Sequence, residues 1–259
     1  DTNNKYQPNP FSISNPDHIE YFKFAGRIFA RAIIECQYVN AHLTKSFLRQ
    51  LLKHNIRFDD LKDFDEEIYK SLYKLFEIDV DQIDLDFTID VNNNNEIKTV
   101  LLNENGDEIK VTNENKKEYI SLYTNYHLKK SIISQIEAFI EGFYSLIPYS
   151  DIGIFNPEEL DFIICGSQKI DIDDLQKNTV YEFPYHAEHP VIKMFFNVIS
   201  KWDNEKLKKF LNFLTGSPQV PINGFVEYKE RKRPITIEGG GDKDHLCVAH
   251  TCYNVLDLP

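Results

Sequence analysis

The chain has 259 residues, of which 42% are hydrophobic and 27% are charged, as in an ordinary globular protein. This length suffices for one large domain or two smaller ones. The formal net charge of -12 argues against a nucleic-acid partner, because phosphate binding needs clustered lysine and arginine. The one basic cluster, residues 229–233, is short and contains Glu230, which is typical of a solvated loop.

Targeting signals and cysteine spacing further restrict the class of protein to which the chain can belong. No apolar run approaches the roughly 20 residues that span a bilayer, and the first ten residues are too polar for a signal peptide. Cys36, Cys165, Cys247 and Cys252 contain no Cys-x-x-Cys pair, which is typical of reduced thiols in a cytoplasmic or nuclear protein. Only Cys247, His250 and Cys252 cluster, and three ligands without a partner motif do not predict zinc. We therefore expect neither a metal nor a cofactor.

The first part of the chain is predicted to be mainly helical. Asn15-Pro16-Asp17-His18 has the residues of a helix start: a capping Asn, a Pro suited to the first helical position and an acidic residue at the positive end. Apolar residues recur at helical spacing in several later segments. Helices are predicted over residues 19–36, 42–54, 66–78, 113–130, 131–147 and 157–165.

A strand-bearing segment interrupts these helices. Residues 80–91 alternate between apolar and polar side chains, which predicts a half-buried strand. The apolar face of this predicted strand consists of Ile83, Leu85, Phe87 and Ile89. Residues 98–102 and 108–111 are predicted to form a hairpin around Asn105-Gly106-Asp107, because Asn-Gly between apolar runs is a strong hairpin signal.

A short polar break at residues 166–169 is the predicted domain boundary. Beyond it, amphipathic helices are predicted over residues 190–202 and 205–215, and strands over residues 222–228 and 235–238. The predicted fold is therefore α+β with two lobes. The larger lobe is mainly helical with a small strand-bearing insert, and the smaller lobe is α/β.

The strongest chemical indication lies in Ala249-His250-Thr251-Cys252-Tyr253-Asn254. A thiol suits acyl transfer because its thioester stays reactive toward amines, provided that the thiol is exposed. His250 could favour the thiolate or relay a proton, because residues i and i+2 share one face of a strand. On local chemistry alone, a single cysteine is more often a small buried hydrophobic residue. Cys36 and Cys165, each at the end of a predicted apolar helix, are expected to be of that kind.

The wider sequence resembles the catalytic domain of HECT-type ubiquitin ligases. The segment HTCYNVLDLP, residues 250–259, is similar to the catalytic signature of that family, and the resemblance runs from about residue 15 to residue 259. Further similar segments follow in family order at residues 15–27, 112–119, 139–143, 158–166, 214–217 and 220–225. Residues 170–175 are more similar to the very large HECT ligases than to the WW-domain class.

The resemblance implies a bilobal fold and a transfer cascade. Residues 1–167 would form the N-lobe, 168–171 the hinge and 172–259 the C-lobe. A ubiquitin-conjugating enzyme would dock on an insert of about residues 66–147. Ubiquitin would then form a thioester with Cys252 and pass to a lysine of a protein substrate. The neighbours expected to position the thiol are His250, Thr251 and Asn254.

The resemblance also assigns a docking groove and a hinge. The docking residues that carry over are Leu72, Ile83, Leu85, Tyr119 and Tyr123. The two tyrosines are four residues apart and share a helical face, which favours docking over core packing for them. Leu72, Ile83 and Leu85 fit either role equally. The thioester passes directly between two sulfurs, so the lobes must move. The expected hinge residues are Gly166, Ser167, Gln168 and Lys169.

Three features depart from the family pattern. Tyr253 stands where Phe is usual, and Cys247 stands where Pro is common. The chain is expected to lack both ends of the family domain, since the family places a C-terminal aromatic residue beyond the seven residues that follow Cys252. Two alternatives stay open. One is a papain-like cysteine hydrolase, which would need a separate histidine with an Asn or Asp to orient it. The other is a binding module for conjugating enzymes or ubiquitin without turnover.

Overall fold

The structure, a computed structural model, describes residues 5–93, 96–167, 169–240 and 244–259. The chain divides into two compact units. The first comprises Asp1–Glu35 and Ala41–Asp161, and the second comprises Cys36–Asn40 and Phe162–Pro259. Within the described ranges, no helix has both the length and the apolar character needed to cross a bilayer.

The first unit is mainly helical, as predicted. Its α-helices are α1 (His18–Ile34), α2 (Lys45–Leu51), α3 (Leu61–Phe64), α4 (Glu66–Glu77), α5 (Lys116–Leu128), α6 (Ile133–Tyr144), α7 (Tyr149–Ile152) and the start of α8 (Pro157–Cys165). Short 3-10 helices occupy Pro10–Ser14, Phe58–Asp60 and Lys130–Ile132. The helix predicted over residues 42–54 is only seven residues long. It is short because Thr44 caps its start and Lys53 adopts a positive φ after its end.

Two glycines allow α1 and α6 to pack closely. A Cβ at Gly26 would overlap the carbonyl oxygen of Phe139, and a Cβ at Gly142 would overlap that of Lys23. The two helix backbones touch at these points, which a larger residue would prevent. The side chains of Phe139 and Phe143 are buried beside this contact. The apolar periodicity that predicted both helices therefore marks the side of each helix that faces the core.

The strand-bearing insert differs from the prediction. β1 (Thr88–Asn93) pairs antiparallel with β2 (Glu96–Leu101). The strand predicted over residues 80–91 is thus shorter, and the hairpin predicted around Asn105-Gly106-Asp107 is wrong. The loop after β2 instead folds back, and the Phe87 amide donates to the carbonyl oxygen of Gly106 at 2.9 Å. Burial of the Phe87 ring outweighed the local turn signal.

The insert has its own hydrophobic core, which joins α4, β1 and α5. The side chains of this core are almost completely buried. Their removal from water stabilises the insert. The buried members are Leu61, Leu72, Leu75, Val80, Phe87, Ile89, Leu102, Val111, Tyr119, Ile120 and Leu128.

The second unit contains a four-stranded sheet with the order β3-β4-β6-β5. Its strands are β3 (Val180–Tyr181), β4 (Thr236–Gly239), β5 (Val248–His250) and β6 (Val255–Leu258). β3, β4 and β6 run parallel, whereas β5 is antiparallel to β6 and lies at an edge of the sheet as far as it is described. The helices are α9 (Ile172–Asn178), α10 (Pro190–Ile199), α11 (Asn204–Thr215) and α12 (Val226–Glu230). The predicted α+β class is confirmed.

Not every predicted element of the second unit is confirmed. Both predicted helices and the strand over residues 235–238 are confirmed, but the strand over residues 222–228 is wrong, because α12 occupies that segment. Asp174 accepts a hydrogen bond from the Phe225 amide at 2.8 Å, which holds the preceding turn, and the Phe225 side chain is buried. The chain passes from the first unit to the second between Asp161 and Phe162, within α8. The domain boundary at residues 166–169 stays a prediction.

Candidate functional site

Cys252, the predicted acyl carrier, is exposed in a tight turn between β5 and β6. The turn closes where the Tyr253 amide donates to the carbonyl oxygen of His250 at 3.0 Å. β5 ends at His250, so the strand geometry expected to bring His250 and Cys252 onto one face is wrong. The turn keeps the two residues close in the chain and presents the thiol to solvent.

Asn254 holds the far end of this turn. It is buried and adopts a positive φ of 56°, which Asn tolerates better than most residues. Its Nδ2 donates to the carbonyl oxygen of Arg233 at 2.9 Å, and its own carbonyl oxygen accepts from the Thr236 amide at 3.0 Å. Thr251 is exposed and lies beside Gly216, the residue that ends α11. The placement of Asn254 is consistent with the predicted positioning role.

The sheet beneath the turn is well packed. Leu256 and Leu258 of β6 are buried, and Leu256 lies opposite Ile237 of β4 in parallel register. Ile237 is itself buried among the helices of the second unit. A mobile turn is therefore not expected, because its exit strand belongs to the core.

His250 is held from the side away from the turn. Its Nε2 lies 3.0 Å from Oδ2 of Asp257, and its side chain is half-exposed. Glu238 on β4 lies opposite Asp257. Partial burial raises the pKa of the Glu238 carboxyl, and the negative charges of Asp257 and Glu182 raise it further. The imidazole of His250 and the carboxyl groups of Asp257 and Glu238 thus form a cluster near the cysteine, and this cluster was not predicted from the sequence.

Exposed apolar side chains accompany the cysteine. Leu246 is 89% exposed, Val248 is 51% exposed and Tyr253 is 73% exposed. Apolar side chains that face water together are typical of a surface that binds a partner. The sequence analysis missed Leu246 and Val248. Their apolar character beside a Gly-rich loop, with no further strand predicted to cover them, was the available signal.

Exposure alone does not distinguish Cys252. Cys165 is buried, as predicted, but Cys36 and Cys247 are exposed. The expectation that Cys36 is buried is wrong, because it lies past the end of α1 in a left-handed conformation with φ 51°. Its carbonyl oxygen accepts from Nη1 of Arg231 at 2.6 Å. The closed turn and the Asn254 contacts, rather than exposure, set Cys252 apart.

The five predicted docking residues are not equally accessible. Leu72 and Tyr119 are buried, Leu85 and Tyr123 are half-buried, and Ile83 is exposed. Burial raises the pKa of Tyr119 to about 12. The rings of Tyr119 and Tyr123 lie 5.9 Å apart, so they share one helical face. Burial argues against direct contact by Leu72 and Tyr119, and the docking role of all five stays a prediction.

Further apolar residues near this region were missed. Tyr73, Phe76 and Ile78, at the end of α4 and just after it, are all exposed. The rings of Tyr73 and Phe76 lie 6.2 Å apart. The available signal was the presence of apolar residues on more than one face of the helix predicted over residues 66–78. Together with Ile83 they form an exposed apolar set that we name the α4 surface.

The predicted hinge is more constrained than its polar sequence suggests. Gly166 is buried with φ 68°, and a Cβ there would lie 2.7 Å from the carbonyl oxygen of Val220. The amides of Ser167 and Val220 each donate to the other's carbonyl oxygen, at 2.9 and 3.1 Å. Lys169 donates its amide to Oγ of Ser167 at 3.3 Å, whereas Gln168 lies outside the described residues. The hinge role stays a prediction.

Comparison with known proteins adds an independent finding. A family model described as "HECT-domain (ubiquitin-transferase)" matches residues 1–259. The chain is 39% identical over 256 residues to E3 ubiquitin-protein ligase pub3 of Schizosaccharomyces pombe, covering 98% of the chain and 32% of that protein. It is 36% identical over 256 residues to E3 ubiquitin-protein ligase RSP5 of Saccharomyces cerevisiae, covering 98% of the chain and 32% of that protein.

A third relative is much longer. E3 ubiquitin-protein ligase UPL1 of Arabidopsis thaliana is 38% identical over 265 residues, covering 98% of the chain and 7% of that protein. The chain thus spans about a third of the length of pub3 and a small part of UPL1. Relatives of very different length match equally well, so the subgroup stays a prediction.

Proposed function

Since this chain belongs to the HECT-domain (ubiquitin-transferase) family, we propose that it is the part of a ubiquitin ligase that holds ubiquitin as a thioester on Cys252. The observation that carries the proposal is the exposed Cys252 in a closed turn whose exit is fixed by buried Asn254. A nucleophile on a rigid support can meet a large protein acyl donor without rearrangement of its own backbone.

The proposed chemistry has two transfers. In the first, the Cys252 thiolate attacks the carbonyl carbon of the thioester on a conjugating enzyme, and the thiol of that enzyme leaves. In the second, a substrate lysine amine attacks the new thioester, an amide forms and the Cys252 thiolate leaves. The exposed Leu246, Val248 and Tyr253 would contact ubiquitin or the donor enzyme during these steps.

The α4 surface supports docking of the conjugating enzyme on the first unit. Tyr73, Phe76, Ile78 and Ile83 are exposed apolar residues within a short stretch of chain. Aromatic and aliphatic anchors of this kind dominate the energy of small interfaces. Leu72 and Leu75 of α4 belong to the core that contains Tyr119, so packing would keep α4 in place when the partner leaves.

Docking and catalysis are assigned to different units, so the proposal includes a motion. Residues 166–169 are the proposed place of this motion, and they follow shortly after the point where the chain enters the second unit. The Ser167 and Val220 pairing lies on the second-unit side of this segment, which limits rotation at Ser167 itself. Rotation is then expected at Lys169 and beyond rather than at Gly166.

One observation favours a second candidate, a cysteine hydrolase. No separate histidine with an Asn or Asp to orient it is recognisable in the sequence, but His250 itself lies 3.0 Å from Asp257. A cysteine, a histidine and a carboxylate are the components of a hydrolytic site. The ligase remains the first proposal, because the family match extends over the whole chain.

Incubation with a ubiquitin-charged conjugating enzyme tests the two candidates. A ligase would take up ubiquitin in an adduct that reductant removes and that mass spectrometry locates at Cys252. It would leave free ubiquitin esters intact. Rapid hydrolysis of those esters with no adduct would instead identify a hydrolase. If neither reaction occurred, only the binding-module alternative would remain.

A further inference from the structure

We infer that Asp257 is a positioning residue for His250, and that His250 so held accepts a proton from the amine that attacks the Cys252 thioester. The inference rests on the proposed function and extends it to the second transfer. It starts from the hydrogen bond between the two side chains, which joins neighbouring strands beside the turn.

Strand register places the two side chains together. His250 lies opposite Val255, and Asp257 follows two residues later on β6. Residues two apart in a strand share a face, so His250 and Asp257 are diagonal neighbours on one side of the sheet. Nε2 and Oδ2 lie 3.0 Å apart, a normal hydrogen-bond length. The contact thus follows from the sheet itself and does not depend on a mobile loop.

The contact selects one form of the imidazole. An ionised carboxylate oxygen can only accept, so Nε2 of His250 carries the hydrogen. In the neutral ring, Nδ1 then keeps its lone pair and can take up a proton. Without Asp257, either nitrogen could carry the hydrogen. The carboxylate therefore fixes which nitrogen is the base.

Only one of the two carboxylate oxygens of Asp257, Oδ2, takes part in this contact. Its other oxygen, Oδ1, is buried and has no hydrogen-bond partner among the described residues. The carboxyl of Glu238 is its neighbour, because the Asp257 side chain contributes to the raised pKa of Glu238.

The proposed step balances without a further reactant. The lysine nitrogen attacks the carbonyl carbon, the new C–N bond forms and the C–S bond to Cys252 breaks. The sulfur leaves with the bonding electron pair, and the nitrogen gives one proton to Nδ1 of His250. The imidazolium then returns that proton to the thiolate, which regenerates the thiol. Loading of Cys252 exchanges one thioester for another and requires no such proton acceptor.

Single-turnover discharge of a preformed Cys252 adduct to free lysine tests the inference. We expect Asp257→Ala to slow discharge by about 10-fold to 100-fold, which is part of what general base catalysis supplies, while loading changes less than about threefold. Asp257→Glu should restore part of the rate. The matched control is Asp173→Ala, which removes an exposed carboxylate elsewhere in the second unit and should discharge normally.

A double variant shows whether Asp257 acts through His250. If it does, His250→Ala with Asp257→Ala should be no slower than His250→Ala alone, because effects within one unit do not add. Nitrogen NMR of the His250 ring should show hydrogen on Nε2 in the parent and on both nitrogens, in exchange, in Asp257→Ala. If Asp257→Ala does not fold, Asp257→Asn, which keeps the shape, replaces it in every measurement.

The outcomes separate this inference from the proposed function. A parent protein that forms no adduct would overturn the proposed function. A parent that loads and discharges, with an Asp257→Ala variant that discharges at the same rate, would overturn only the inference. Additive losses in the double variant would also overturn it, since they would show that Asp257 acts without His250.

Discussion

The turn that contains Cys252 and the α4 surface are held in place by different forces. The turn depends on polar contacts, because the Tyr253 amide donates to His250 and Asn254 bonds Arg233 and Thr236, while Cys252 stays exposed. The α4 surface depends on packing, because α4 buries Leu72 and Leu75 in a core that also contains Tyr119. The difference suggests that a point change can disable the turn without unfolding it. In the docking region, function and stability have to be separated residue by residue.

The largest effect is expected at the thiol itself. Cys252→Ala should abolish the reducible ubiquitin adduct completely, because no other atom would carry the thioester. The melting temperature should barely change, since the side chain is exposed. A gel with and without reductant measures the adduct.

Two other exposed cysteines provide matched controls for this change. Cys36→Ala and Cys247→Ala remove exposed thiols and should leave the adduct intact. An adduct that persists in Cys252→Ala but disappears in Cys247→Ala would move the site by five residues. In that case the thiol would not lie in the turn that Asn254 holds, and the comparison of this turn with the α4 surface would no longer apply.

The next largest effect is expected in the core of the docking region. Tyr119→Ala should cost about 3–5 kcal/mol of unfolding free energy, as for other large-to-small changes of buried aromatic residues. Ile83→Ala should leave stability almost unchanged but weaken binding of the conjugating enzyme by about 2 kcal/mol, or roughly 30-fold. Denaturant titration and a binding titration together measure the two effects.

Ile154→Ala is the matched control, since Ile154 is an exposed isoleucine of the first unit outside the α4 surface. It should change neither stability nor binding. Normal binding by Ile83→Ala would contradict the docking proposal. Normal stability of Tyr119→Ala would contradict the core assignment.

A smaller effect is expected from the residue that holds the turn. Asn254→Ala places a less tolerant residue at φ 56° and removes the hydrogen bond to Arg233. Asn105→Ala makes the same backbone change, also at φ 56°, but at an exposed position. Asn254→Ala should therefore destabilise by about 0.5–1.5 kcal/mol more than Asn105→Ala, the usual net contribution of one hydrogen bond.

Transfer to Cys252 should also slow in Asn254→Ala and stay normal in Asn105→Ala. Chemical denaturation and single-turnover loading measure the two properties. Equal losses in both variants would show that backbone strain, and not the amide contact, accounts for the role of Asn254.

The smallest effect is a pH dependence in the docking helix α5. His127 packs between aromatic rings, and its Nε2 is buried without a hydrogen-bond partner among the described residues. Burial lowers the pKa of His127 below 6.5, although the charge of Asp65 opposes this shift. The unfolded chain therefore binds a proton first as the pH falls. Stability should be full above about pH 6.5 and decline below it, until the folded His127 also titrates.

His127→Gln should flatten this decline, whereas His54→Gln, at an exposed position, should not. Unfolding free energies between about pH 5 and pH 8 measure the slopes. An unchanged slope in His127→Gln would show that other groups dominate the acid side of the stability curve.

Helical periodicity carried most of what could be predicted about the fold. The apolar spacing in α1, α4, α6, α10 and α11 is regular, and a regular amphipathic stripe forms a helix in almost any context. Strand pairing was predicted less well. The Asn-Gly signal at residues 105–106 marks a turn, but its neighbours pair elsewhere, because burial of Phe87 depends on contacts distant in the chain.

For the candidate site, the sequence by itself determined which residue types stand next to one another, and from these the chemistry was predicted. The resemblance of residues 250–259 to the HECT signature predicted Cys252 as the thiol, with His250, Thr251 and Asn254 as its neighbours. Only the tertiary structure decided that Tyr119 is core, that Asn254 bonds Arg233 and that Asp257 reaches His250. Each of these depends on which strands and helices become neighbours, and that choice is made by burying apolar surface across the whole unit rather than by any short segment.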